Sequence, residues 1–254
     1  KGGKISVSTD TGATWNERES DRNWQDITMD SLGSSMLAID YGGRIYSSTT
    51  TGLSWSAVEQ NRNWQSIEMS KISNIYTAVV FGGQIYTSTD KINWTPREQN
   101  REWSSVSLNT TGNIQTAVDF NENVYQSTDS GVTWNIQNGL KELTSIAMSD
   151  DGVNQTVTES VGTLYVSNNS GETWTKKTDI EDWRMVAMTS SGTQQVAVSY
   201  GLNTSSLTGK IYNSYDSGVT WTAAATPELK WNSVAISDDG VIITVTAYNE
   251  SIWR

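Results

Sequence analysis

A block of about 40 residues is spelled six times along this chain, and every copy closes on a tryptophan. The copies are STDTGATW (8–15), STTTGLSW (48–55), STDKINW (88–94), STDSGVTW (127–134), SNNSGETW (167–174) and SYDSGVTW (214–221). The closing residues Trp15, Trp55, Trp94, Trp134, Trp174 and Trp221 follow one another at intervals of 40, 39, 40, 40 and 47. The one long interval holds an insertion, GLNTSSLTGK (201–210). A fixed period of this size means a unit too small to bury its own apolar face, which must stack on its neighbours.

A second motif keeps the same period: WQDITM (24–29), WQSIEM (64–69), WSSVSL (103–108), LTSIAM (143–148), WRMVAM (183–188) and WNSVAI (231–236). Between the two motifs lie pairs such as YTAVVF and QIYTS, short, rich in Val, Ile, Tyr and Thr, and bounded by Gly, Asn or Ser. These are strand signals, and no helical period of useful length is present. Each unit thus holds four short strands, called a (the second motif), b, c and d (around the closing Trp), joined tightly enough to run antiparallel. Four strands at this period predict a β-propeller.

The closing string falls on the c–d turn. Gly12, Gly52, Gly131, Gly171 and Gly218 supply positive φ there. Asp10, Asp90, Asp129 and Asp216 accept hydrogen bonds from turn amides. The tryptophan is expected to wedge into the seam between blades. The pattern S-x-D-x-G-x-T-W resembles the Asp-box, or BNR repeat, of sialidase-like β-propellers, over almost the whole chain. Thr50 and Asn169 replace the Asp, and the third copy is one residue short and lacks the Gly. The resemblance implies a folding element on the face away from the ligand site, and so an architecture rather than an activity.

Five complete units run from Trp24 to about Leu229. The N-terminus adds only c and d, the C-terminus only a and b. Paired, they make six four-stranded antiparallel blades in one domain over residues 1–254. SIWR (251–254) also matches c, a role that KISVS already fills, so seven blades or part of a longer array is the alternative.

Composition narrows the function. With no cysteine and no histidine, disulfides, thiolate metal sites and imidazole catalysis are excluded within the chain. A net charge of −11 argues against nucleic acid and anionic membrane surfaces. No run approaches the roughly 18 apolar residues of a membrane span. No cofactor or metal is expected. The SDDG turns at Asp150–Asp151 and Asp238–Asp239 read as Asx turns, with a weak calcium site as the alternative.

The a-b-c-d order puts the boxes on one face and the b–c loops with the d–a links on the other. On that second face Arg22, Arg62 and Arg101 repeat in ERESDRNW, VEQNRNW and REQNREW, and Asp40 with Tyr41, Phe81, and Asp119 with Phe120 end strand b. Arginine, carboxylate and ring converging from adjacent blades suit a sugar. The alternative is that the arginines pair with Glu19, Glu59 and Glu98 and seal the seam. The sialidase resemblance would also imply an arginine triad, a Tyr nucleophile with Glu, an Asp acid/base and an Arg-Ile-Pro segment. That segment is absent, and the only prolines are Pro96 and Pro227. The expected function is a non-catalytic, extracellular or surface module binding a glycan or a protein. A structural part of a larger self-assembled particle and a glycoside hydrolase are the alternatives.

Overall fold

A computed structural model describes residues 2–121, 123–177, 181–201, 209–248, 250 and 252–254. Among them there is no helix, and the strands form antiparallel sheets arranged as a propeller. The chain opens with β1 (Gly3–Val7) and β2 (Asn16–Arg22), which pair with each other. β3 (Trp24–Met29), β4 (Met36–Asp40), β5 (Ile45–Ser48) and β6 (Ser56–Ala57) form the first four-stranded sheet.

β7 (Trp64–Met69), β8 (Tyr76–Ser88), β9 (Thr95–Leu108), β10 (Gln115–Asp119), β11 (Val124–Ser127) and β12 (Asn135–Asn138) form one six-stranded sheet. It joins two repeats because β8 runs through its b–c link and β9 through the d–a link. The first half of β9 pairs with β8 and the second half with β10. Two further four-stranded sheets follow. One is β13 (Leu143–Met148), β14 (Gln155–Glu159), β15 (Leu164–Ser167) and β16 (Thr175–Lys176). The other is β17 (Trp183–Met188), β18 (Gln195–Ser199), β19 (Ile211–Ser214) and β20 (Thr222–Ala223). β21 (Trp231–Ile236) and β22 (Ile243–Ala247) close the chain.

The expected six-blade ring, sealed by pairing the terminal strands, is not what the pairings show. Among the described residues β1 pairs only with β2. The edge of β22 that it would need is occupied instead by Trp253, bridged to Val245 with backbone bonds of 3.0 and 2.9 Å. Trp253 therefore takes the c position beside β22, which leaves KISVS no edge there. Arg254 donates to the Thr11 carbonyl, so the two ends meet at the c–d turn of the N-terminal hairpin.

Within the ring, the a strands pack in sequence, β3 on β7, β7 on β9, β9 on β13, β13 on β17 and β17 on β21. Each seals a joint with strands b and c of the blade before it. Leu37, Ile39 and Ile45 cover Trp64, Ile67 and Met69. Val196, Val198 and Ile211 cover Trp231 and Val234. Polar rungs fix the register between blades. The Thr77, Thr116 and Thr156 hydroxyls donate to the Oε1 of Gln115, Gln155 and Gln195 at 2.8, 2.9 and 2.6 Å, all six residues being fully buried. Each glutamine Nε2 in turn donates to the carbonyl of Gly112, Gly152 or Gly192. Gln155→Ala strands two buried polar groups and opens a cavity, so urea unfolding should show a loss of about 2–4 kcal/mol.

The c–d turns have the expected geometry. In the fourth copy Asp129 Oδ1 accepts from Ser127 Oγ and the Thr133 amide, both at 2.8 Å, and Thr133 Oγ1 donates to Oδ2 at 2.7 Å. Asp10 and Asp216 do the same. Thr50 and Asn169 hold their turns through a hydroxyl and an amide oxygen. Where the third copy lacks glycine, Lys91 takes φ 66° and Asp90 accepts from the Ile92 and Asn93 amides. At Gly131, with φ 81°, a Cβ would lie 2.7 Å from Thr87 of the preceding blade, so the glycine serves both the turn and the joint.

The tryptophans of these turns do not all seal the seam. Trp94 and Trp134 are buried, Trp55, Trp174 and Trp221 half-buried, and Trp15 is 46 % exposed. Their indoles fold back on their own turns: those of Trp55, Trp94, Trp134 and Trp221 donate at 3.1 Å to the carbonyls of Gly52, Lys91, Gly131 and Gly218. The deepest indoles belong to strand a instead. Trp64, Trp103, Trp183 and Trp231 are at most 1 % exposed.

Candidate functional site

Two surfaces gather side chains from several blades: the face formed by the b–c and d–a links, and the central channel. The boxes lie beside the a–b turns, as the Ser130, Ser170 and Ser217 amides show by donating to the Asn113, Val153 and Thr193 carbonyls. The opposite face is the one expected to bind.

On that face the residue after strand b is anchored through its backbone to the d–a link of its own blade. The amides of Tyr41, Phe81, Phe120, Tyr200 and Tyr248 donate to the carbonyls of Asn23, Asn63, Glu102, Asp182 and Lys230, all within 2.8–2.9 Å. The side chains stay open. Tyr41, Phe81, Phe120 and Tyr248 are 38, 37, 36 and 62 % exposed. A fixed backbone thus presents a partial crown of open rings at four places; Tyr200 is half-buried against Arg184 and Lys230, and the fourth complete repeat has Ser160 in that place.

The three repeated arginines are held inside the fold. Arg22, Arg62 and Arg101 pair with Glu19, Glu59 and Glu98 at 3.3, 3.4 and 3.6 Å. Their guanidinium groups lie 4.4, 4.4 and 4.7 Å from the ring centres of Tyr46, Tyr86 and Tyr125. Those tyrosines meet Trp24, Trp64 and Trp103 edge-on at 5.1, 5.3 and 4.9 Å. A Glu-x-x-Arg-x-Trp clasp therefore ties the d–a link to strands a and c, by cation–π contact as well as charge. The glutamate pairs are those of the alternative reading, and the rings beneath the arginines belong to the blade that each link enters. Asp40 and Asp119 are also engaged locally: Asp40 Oδ1 accepts from the Asn23 amide at 3.1 Å, and Asp119 Oδ1 from the Asn121 amide at 2.6 Å.

Two of these residues still meet in a cleft. A concavity of about 550 Å3 at the joint of the second and third complete repeats is lined by Gly82, Asn100, Arg101, Glu102, Asp119 and Asn121. Phe81 and Phe120 adjoin its lining residues in sequence. Arg22, Arg62, Asp40 and Tyr41 do not line it. The insertion at 201–210 falls largely outside the described residues, at 202–208.

The channel, of about 250 Å3, is lined by all six a strands. Its charges, Asp26 and Glu68, were not anticipated from the sequence. Asp26 Oδ2 accepts from Ser66 Oγ and the Ile67 amide at 3.0 and 2.9 Å, and Oδ1 from its neighbour's amide, Ile27, at 2.8 Å. Glu68 Oε1 accepts from Thr28 Oγ1 and the Met69 amide at 2.9 and 3.1 Å. Burial pushes Asp26 up to about 6 and Glu68 to about 7, and for Glu68 the neighbouring Asp26 adds to the rise. Both are enclosed by protein yet keep some contact with the channel, so its wetness sets the size of the rise, not its direction. Aligning the a strands reveals the signal: Asp26 stands where Ser66, Ser105 and Ser145 recur, and Glu68 where Ala147, Ala187 and Ala235 recur. At the channel's a–b end, Lys71 reaches across to Asp150 and Asp238 at 2.8 and 2.7 Å and to Ser190 Oγ at 3.1 Å.

Fold and face together define a β-propeller with an aromatic-rimmed end. No protein-family model matches the chain, and no curated protein does so at a significant level. Solved structures do resemble it. An ancestral GH74 enzyme is similar at a TM-score of 0.75 and 14 % identity, over 98 % of this chain and 37 % of that one. The chain thus spans just over a third of that enzyme's length. YCF48 from Cyanidioschyzon merolae is similar at a TM-score of 0.73 and 15 % identity, over 98 % and 87 % of the two chains. A structure of YCF48 bound to D1 peptide matches at a TM-score of 0.69 and 16 % identity, over 95 % and 82 %. At these identities the likeness is one of fold.

Proposed function

We propose that the chain is a non-catalytic interaction propeller of the Asp-box type, and that a protein or peptide partner docks on its aromatic crown. The observation that carries this is the repeated pairing of a pinned backbone with an open ring at Tyr41, Phe81, Phe120 and Tyr248. Rigid aromatic anchors give large contact area for little lost conformational freedom, which is what partner surfaces select. The fold of YCF48 seen with a bound peptide supports the same use of the architecture. The channel carboxylates are tied into the strands: both oxygens of Asp26 and Oε1 of Glu68 accept from amides and hydroxyls of strands a.

A glycan is the second reading, favoured by the cleft that brings Asn100, Arg101, Glu102, Asp119 and Asn121 together. One experiment separates them: the full chain is screened in parallel against a displayed peptide library and a glycan array. Selected peptides should bind saturably and lose about tenfold or more in affinity with Phe81→Ala plus Phe120→Ala, at unchanged Tm. Binding confined to glycans and lost with Asn121→Ala would move the ligand to the cleft. Turnover of an aryl glycoside would defeat the non-catalytic reading.

A further inference from the structure

Beside the boxes, two successive joints carry the same cleft, and only one has an arginine in its wall. Between the first and second complete repeats the cleft measures about 440 Å3 and is bordered by Ser47, Thr49, Ser56, Val58 and Lys91. Between the second and third it measures about 430 Å3, and Thr87, Thr89, Thr95 and Arg97 stand where Ser47, Thr49, Ser56 and Val58 stood. Strand pairing fixes the correspondence, since Ser47 lies opposite Ser56 and Thr87 opposite Thr95. One joint further on, Gln126 takes the place of Thr87, and its Nε2 crosses the seam to the Ser170 carbonyl at 2.7 Å. Thr87 is too short for that bridge.

Val58 packs against the core, as does Ala224 at the same place in the fifth complete repeat. Arg97 does something else there. Its Nε donates to Thr87 Oγ1 at 3.0 Å, which fixes the plane of the half-buried guanidinium, and its two terminal nitrogens have no partner among the described residues. Arg22, Arg62, Arg101 and Arg184 each pair with a carboxylate, and Arg97 does not. The box carboxylates on either side are spent on their own turns. Asp90 Oδ1 accepts from the Ile92 and Asn93 amides and Oδ2 from Asn93 Nδ2, while Asp129 serves Ser127 and Thr133. The cation of the first cleft, Lys91, is by contrast engaged: it donates to Ser35 Oγ and lies 5.2 Å from the Tyr76 ring centre.

We propose that the second cleft binds a carboxylate carried on a hydroxylated carbon frame, either a free hydroxy acid or an acidic sugar residue of a glycan. With Nε tied to Thr87, the two terminal nitrogens of Arg97 form a fork that matches the two oxygens of a carboxylate. A single negative charge suits the site better than phosphate or sulfate, because Asp90 lines the same cleft and the chain carries a net charge of −11. The Thr89, Thr95 and Ser130 hydroxyls in the lining can exchange hydrogen bonds with the ligand's own, and Ile75 and Val132 offer contact to its carbon frame. The site lies among the boxes and is independent of the crown.

Gluconate is the probe for the free acid and methyl β-glucuronide for the linked residue, each titrated into the full chain and followed by NMR. At least one should shift the Thr89, Thr95 and Ser130 amides saturably, and its binding should weaken about tenfold or more with Arg97→Val. Valine is what the first complete repeat carries at that place, so this variant should melt as the parent does. Arg97→Lys, which keeps the charge and loses the fork, is the second variant and should also weaken binding. Tighter binding of gluconate assigns the free acid, and tighter binding of the glucuronide assigns the glycan residue. Absence of saturable shifts with both probes, binding indifferent to both substitutions, or sulfate bound as tightly as the carboxylates overturns the proposal.

Discussion

Trp183→Ala should lower the unfolding free energy by about 3–5 kcal/mol, whereas Trp24→Ala, the same change at the same place in the repeat, should cost about 1 kcal/mol. Trp183 is 0 % exposed, meets Tyr212 edge-on at 4.9 Å and donates to the Gly162 carbonyl at 3.2 Å. Leu164 of the preceding blade and Val186 and Ala197 of its own enclose it. Removing the indole there leaves a void that packed strands cannot collapse. Trp24 keeps its edge contact with Tyr46 and a hydrogen bond to the Ser20 carbonyl, but is only half-buried, beside exposed Ile27 and Met29. Urea unfolding with two probes checks both, since repeat arrays can lose two-state behaviour. Equal losses would mean that Trp24 is as enclosed as Trp183 in solution.

That contrast also explains what the sequence could and could not convey. Repeat period, strand order and turn chemistry are local, so Asp129, Gly131 and Thr133 can be read from their spacing alone. Burial is not local. Trp15 and Trp134 sit in nearly identical strings, yet one is 46 % exposed and the other 9 %. The terminal strands failed as a pair for the same kind of reason: KISVS and SIWR both satisfy the pattern of strand c, and only three-dimensional adjacency decides that Trp253 sits beside Val245. Arg22, Arg62 and Arg101 were visible as a repeat, but the tyrosines that they lie over are two strands away. Asp26 and Glu68 were readable in principle, as the charges in two otherwise neutral columns of the aligned a strands.

Those two carboxyl groups set the second large expectation, a stability that falls as pH rises from about 5 to about 8. Asp26 is raised from 3.8 to about 6 and Glu68 from 4.5 to about 7. A raised carboxyl binds its proton more tightly folded than unfolded, so its contribution is complete below the unfolded value and is lost as pH climbs through the folded one. Below about pH 4 the opposite sign takes over. Asp10 and Asp129 are held down at about 2 by the Thr14 and Thr133 hydroxyls and amides, so their contribution disappears as pH falls from about 4 to about 2. The protein should therefore be most stable between about pH 4 and 5, unusually acidic for a folded domain. Glu68→Gln keeps an oxygen for Thr28 and the Met69 amide while removing the charge, and should stabilise the protein at pH 8 by about 1–3 kcal/mol and flatten the slope above pH 5. Urea midpoints measured from pH 3 to 8 decide the matter. A parent curve that rises steadily to pH 8 would mean the channel is wet enough to leave both groups ionised at no penalty.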